Sequence, residues 1–155
     1  MVPELKKLSN EELEMLIKAP LLVSILIAGA DGQIDRSEIK GAINTTKKKA
    51  QGNSSLKAFY ESVSEDFEDK LKVLIQGYPS TPETRCTQIE NELKLLNPIF
   101  AKVEGKLSTE IYTSLKSLAL NIAKSSGGLF GFRSSIGPEE AKYVELSMIN
   151  PPGAR

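Results

Sequence analysis

An all-α bundle of about seven helices is the fold that this sequence predicts, and three observations predict it. Apolar residues recur at steps of three and four along almost the whole chain, as in helices that bury one face. No segment shows the strict alternation of apolar and polar residues that is typical of a strand with one exposed face. Helix caps and helix stops separate the periodic segments. The 155 residues fit a single domain with a buried core, and residues 150–155 form a short tail.

The first three helices are predicted from their ends. Ser9 and Glu12 have the spacing of a capping box, which opens the first helix. Pro20 is expected to end it, because the residue before a proline avoids the α conformation. A second helix over residues 20–30 is apolar nearly all round, so we expect it at the centre of the bundle. A third helix over residues 35–51 has a short apolar face.

The next two helices are longer and more amphipathic. Apolar residues at helical spacing predict one continuous fourth helix over residues 56–75, which Gly77 stops. The fifth helix has Pro82 at its first position and should be kinked or broken at Pro98. Gly105 is expected to end it.

The last part of the chain repeats the pattern of the first part. A sixth helix is predicted from Leu107, followed by a glycine-rich loop over residues 125–135 and a last helix from Ile136, whose apolar face includes Val144 and Met148. In both halves an apolar helix passes through a glycine-containing turn into a second helix. The sequence therefore predicts two pseudo-repeated halves.

Composition excludes several classes of function. The formal net charge is zero, which disfavours a nucleic-acid partner. The chain has no histidine, the commonest general base and zinc ligand. The single cysteine, Cys86, lies in an apolar helical register and is expected to be a core thiol. No apolar stretch is long enough to cross a bilayer and no signal peptide is recognised, so a cytoplasmic protein without a stable membrane anchor is expected.

Three carboxylates, Asp31, Asp35 and Glu38, lie at a sharp turn between two predicted helices, and we call residues 28–39 the acidic turn. Clustered oxygen ligands suit a hard cation, and these three would form a weak, hydrated site for calcium or magnesium. The same residues suit a helix start, because Asp35 and Glu38 have capping-box spacing. An EF-hand loop beginning at Asp31 is excluded, because Arg36 stands where that loop needs glycine. Metal ligation and helix capping both remain open.

The glycine-rich loop carries the second candidate site, formed by Leu129, Phe130 and Phe132. The loop does not follow a strand and lacks the Gly-Lys-Ser/Thr ending of a phosphate-binding loop. Its apolar side chains either pack against the core or form an exposed contact for a protein partner or a membrane.

The acidic turn also resembles a family motif. Residues 27–38 read Ile-Ala-Gly-Ala-Asp-Gly-Gln-Ile-Asp-Arg-Ser-Glu. They are similar to the turn of the TerB-like (tellurite-resistance protein B-like) family, in which Ala-x-Ala-Asp-Gly-x-Ile-x-x-x-Glu joins two helices. Residues 125–132 resemble the second-half turn of some members, although a serine and two glycines stand where acidic residues are expected. The resemblance implies an all-α bundle in two pseudo-repeated halves. It also implies divalent-cation binding, with Asp31, Asp35 and Glu38 in the matching positions, and a role in bacterial stress response or as an adaptor.

Three functions follow from these observations. The first is a non-enzymatic stress-response or adaptor-type module that binds a protein partner, with or without a divalent cation. The second is a purely structural interaction domain that binds no metal. The third is a carboxylate-based metal-dependent enzyme. It is less favoured, because helical-bundle enzymes of this kind commonly use Glu-x-x-His motifs and the chain has no histidine.

Overall fold

The computed structural model describes residues 5–29, 34–128 and 143–152 of the chain. These residues form seven helices and contain no strand, which confirms the predicted all-α class. The helices are α1 (Asn10–Ala28), α2 (Arg36–Lys49), α3 (Ser54–Ser64), α4 (Phe67–Gly77), α5 (Pro82–Leu93), α6 (Leu96–Phe100) and α7 (Gly105–Gly128). No helix in the described part of the chain is both long enough and apolar enough to span a membrane.

Helix α1 is the centre of the bundle, the place predicted for the apolar helix over residues 20–30, most of which is part of α1. It contacts each of the other six helices and packs most extensively on α7. Every residue from position 19 to position 28 is buried. The capping box is also confirmed, since the Ser9 hydroxyl accepts from the Glu12 N–H at 3.1 Å and the Glu12 carboxylate accepts from the Ser9 N–H at 2.9 Å.

The predicted helix end at Pro20 is wrong. Helix α1 continues through Pro20 to Ala28, so the first two predicted helices are one. A proline inside a helix costs about 3 kcal/mol, whereas each fully buried leucine or isoleucine contributes about 1.5–3 kcal/mol. Leu16, Leu22 and Ile25 are completely buried on the two sides of Pro20. Burial of the helix in the core therefore outweighs the local preference of the proline.

The predicted single helix over residues 56–75 is two helices. Helix α3 ends at Ser64, and Asp66 has a φ of 51°, in the left-handed region that aspartate tolerates better than most residues. Lys70 then reaches back across the break, and its ammonium donates to the Ser62 carbonyl at 3.1 Å. The break redirects α4, which then packs against α1.

The break near Pro98 occurs earlier than predicted. Helix α5 ends at Leu93, and Pro98 lies in the first turn of α6. Backbone N–H groups in the first turn of a helix have no intrahelical acceptor, so a proline there loses no helical hydrogen bond. Gly105 begins α7 and does not end the preceding helix. The Glu104 carboxylate accepts from the Lys106 and Leu107 N–H groups at 2.9 and 3.1 Å, so this glutamate caps α7.

The last predicted helix does not continue to Val144 and Met148, because among the described residues 143–152 only Tyr143 is helical and the others form turns and irregular backbone. Leu146 is buried with a φ of 50°. Asn97 holds this segment, because its side chain donates to the Met148 carbonyl at 3.2 Å and accepts from the Asn150 N–H at 2.8 Å. Residues 136–142, where the helix was expected to begin, lie outside the described part, so the pseudo-repeat stays a prediction.

Candidate functional site

The acidic turn is only partly described. Asp35 is exposed at the N-terminus of α2, and its Oδ1 accepts from the Ser37 N–H at 2.9 Å and from the Glu38 N–H at 3.2 Å. Asp35 therefore has the capping role that its spacing predicted, and Glu38 lies half-buried in the first turn of the same helix. Asp31 lies outside the described residues, so the cation site that includes it stays a prediction.

The described residues hold no group of three or more aspartate, glutamate, cysteine or histidine side chains that could bind a metal ion together. The second candidate site, Leu129, Phe130 and Phe132, lies wholly outside the described residues. The prediction for Cys86 is confirmed, since its thiol is buried on the core side of α5.

Arg85 is a buried cation that sequence reasoning missed. It lies on α5 with 5% of its surface exposed. Its Nη2 donates to the Gly29 carbonyl at 2.7 Å and its Nη1 to the Ser80 carbonyl at 3.1 Å. Within the described residues, its Nε is buried without a hydrogen-bond partner and no carboxylate pairs with it. No pattern around position 85 distinguishes this arginine from the exposed Arg36.

The position of Arg85 matters because Gly29 directly precedes residues 30–33 of the acidic turn. Helix α1 has no basic residue in its own last turn. Arg85 supplies a positive charge there from another helix, at the end where the helix dipole favours a cation. The guanidinium therefore anchors the C-terminal end of α1 to α5 and to the loop that precedes α5. This contact fixes the position at which the acidic turn begins.

An apolar groove of about 560 Å³ lies between α1 and α4, and we call it the α1–α4 groove. Four side chains of each helix line it: Glu14, Ile17, Lys18 and Leu21 from α1, and Asp69, Lys70, Val73 and Leu74 from α4. The α1 residues are three and four positions apart and share one helix face. Val73 is 66% exposed, the highest value among the large apolar side chains of the described residues. The groove therefore presents apolar surface to solvent between two helices.

One side of this groove is tied to α5 by a polar network. Lys18 Nζ lies 3.2 Å from Glu92 Oε1, and the Tyr78 hydroxyl donates to the other Glu92 oxygen. Burial, together with the hydrogen bond and the negative charge of Glu92, raises the pKa of Tyr78. Tyr78 therefore stays protonated as a donor, and Glu92 holds Lys18 in place.

A second cleft, between α2 and α4, has a similar volume of about 580 Å³ but a different character. Polar side chains make up most of its lining, and the ion pair between Lys40 and Glu68, at 3.3 Å, joins its two sides. The α1–α4 groove is the more apolar of the two, and so it is the better candidate for binding another protein.

Comparison of the chain with protein-family models, with curated proteins and with solved structures gives no match. The TerB-like resemblance of residues 27–38 therefore stays a prediction from the motif.

Proposed function

We propose that this protein is a non-enzymatic, adaptor-type module that binds a helix of a partner protein in the α1–α4 groove. The observation that carries the proposal is the 66% exposure of Val73 at a groove whose other apolar lining residues are Ile17, Leu21 and Leu74. An apolar groove with a polar rim is typical of interaction sites. Two packed helices form a hydrophobic groove of the kind that accepts the apolar face of an amphipathic helix.

The exposed side chain is not needed for the fold. Helix α4 contributes Leu71 to the core, where it is 1% exposed, and Leu74 packs against that core from a half-buried position. Val73 is not part of that core and is 66% exposed, so a hydrophilic residue there would cost the fold little. We infer that the valine serves binding.

The cation-dependent form of this function and the bacterial stress-response role rest on the acidic turn and its TerB-like resemblance. They stay predictions beside the groove proposal, as does the purely structural interaction domain. The carboxylate-based enzyme also stays a prediction. No carboxylate in the described residues is buried in the way that such an enzyme requires.

The test is a titration of the isotope-labelled protein with a designed, uncharged amphipathic helical peptide of about 18 residues, or about five turns. We expect amide shifts concentrated in residues 14–21 of α1 and 69–74 of α4. Val73→Asp should abolish these shifts, because it places a charge in the apolar groove. Leu95→Asp is the matched control, because Leu95 is 54% exposed but does not line the groove. Shifts elsewhere, or shifts that survive Val73→Asp, would contradict the proposal.

A further inference from the structure

The polar rim of the α1–α4 groove carries two acidic and two basic side chains, one of each on each helix. Their charges are not equally available to a ligand. The difference lies in what each side chain already contacts within the bundle.

Both lysines are engaged. Lys18 pairs with Glu92 at 3.2 Å, and both side chains are only about one-third exposed. Lys70 Nζ donates to the Ser62 carbonyl at 3.1 Å. Ser62 lies in the last turn of α3, where the helix dipole carries a partial negative charge. The first lysine is thus neutralised by a carboxylate and the second partly compensated by a helix end.

Both acids are available. Glu14 and Asp69 are exposed, and neither side chain forms a hydrogen bond or ion pair with another residue of the described chain. One lies on the α1 wall and the other on the α4 wall. An occupant of the groove therefore meets an exposed carboxylate without a side-chain partner in the described residues on each side of an apolar floor.

We propose that the occupant of the α1–α4 groove is a basic amphipathic helix, with lysine or arginine residues on both flanks of its apolar stripe. This inference rests on the proposed function and names the chemistry of the partner. The apolar stripe would cover Val73 and its neighbours, while the flanking cations pair with Glu14 and Asp69. Charge complementarity of this kind selects the partner and its orientation more than it adds affinity.

The test uses three designed helical peptides with one common apolar stripe, flanked by glutamine, by lysine or by glutamate. At low salt the lysine-flanked peptide should bind about tenfold more tightly than the glutamate-flanked one, as expected for a few exposed charge pairs. The difference should shrink as the salt concentration approaches 1 M, where the Debye length falls to about 3 Å.

Two double variants assign the preference to the rim. Glu14→Gln with Asp69→Asn should reduce the preference for the lysine-flanked peptide to about twofold or less. The control is Glu61→Gln with Glu83→Gln. Both control residues are exposed and unpaired in the described chain, and neither lines the groove. Glu83 also matches Asp69, because each is in the first turn of its helix. Thermal unfolding of both double variants checks that they fold.

The outcomes separate the two proposals. If no peptide binds the groove, the proposed function fails and the basic partner fails with it. If all three peptides bind with equal affinity, the binding function stands and the basic partner is refuted. A preference for the glutamate-flanked peptide, or an equal loss of preference in both double variants, also refutes the basic partner.

Discussion

The guanidinium of Arg85 and the backbone of Gly29 form the contact that fixes the C-terminal end of α1 on α5. Nη2 of Arg85 donates to the Gly29 carbonyl oxygen at 2.7 Å. A Cβ placed on Gly29 would lie 2.7 Å from that same nitrogen and 2.9 Å from the Ile25 carbonyl oxygen. The arginine can approach the helix end this closely because position 29 has no side chain.

Gly29→Ala should therefore lower the free energy of unfolding by about 1–3 kcal/mol, the usual range for overpacking. The φ of −93° at Gly29 is open to alanine, so the cost is steric and does not come from the backbone conformation. Urea unfolding measures it. Gly41→Ala is the control. An added Cβ there meets nothing within 4 Å, so alanine should stabilise α2 by about 0.5–1 kcal/mol. Equal effects of the two substitutions would contradict the steric account.

Arg85→Lys should lower the free energy of unfolding by about 2 kcal/mol, although it keeps the charge. A lysine ammonium cannot span the Gly29 and Ser80 carbonyls as the planar guanidinium does, so one carbonyl loses its donor while a positive charge stays buried. Chemical denaturation measures the change in the free energy of unfolding, and Arg36→Lys is the control. Arg36 is exposed and unpaired in the described chain, and its substitution should change the stability by less than about 0.5 kcal/mol. An Arg85→Lys protein as stable as the wild type would show that the two-carbonyl bridge is dispensable.

Asp35→Ala tests whether the acidic turn is a helix cap or a cation site. As a cap, Asp35 should contribute about 1 kcal/mol, and the loss should be the same in a chelator and in excess calcium or magnesium. Thermal unfolding under these conditions measures the loss. A second protein, Asp31→Asn with Asp35→Asn, tests the predicted ligands together. A rise in the wild-type melting temperature with added cation that this protein loses would establish the site by ligand linkage.

Glu12 should make the stability depend on pH in the acidic range. The hydrogen bond from Lys102, followed by that from the Ser9 N–H, lowers the pKa of Glu12 below its ordinary value of 4.5. Because the folded pKa is the lower one, the contribution is present above the unfolded pKa and is lost as the pH falls through the folded pKa. The difference in stability between wild type and Glu12→Gln should therefore be largest near neutral pH and should fall as the pH drops below 4.5. Urea unfolding at several pH values measures it, and a difference that does not vary with pH would refute the linkage.

Features that depend on neighbours along the chain were predictable. The Ser9–Glu12 capping box and the Asp35 cap each join residues two or three positions apart, so their spacing alone indicates them. The burial of Cys86 followed from its apolar register on one helix face.

Sequence alone determined the all-α class, the caps at Ser9 and Asp35, and the central place of the apolar residues 20–28. Hydrophobic periodicity and short-range capping involve residues that are close together along the chain. Only the tertiary structure decided that α1 runs through Pro20, where burial outweighs a local preference. It also decided that Asp66 redirects α4 against α1 and that Arg85 reaches Gly29 from 56 residues away. The α1–α4 groove depends on the same long-range packing, since it joins Ile17 to Val73 across two helices far apart in sequence. Such contacts depend on how whole helices pack, and no local pattern encodes that packing.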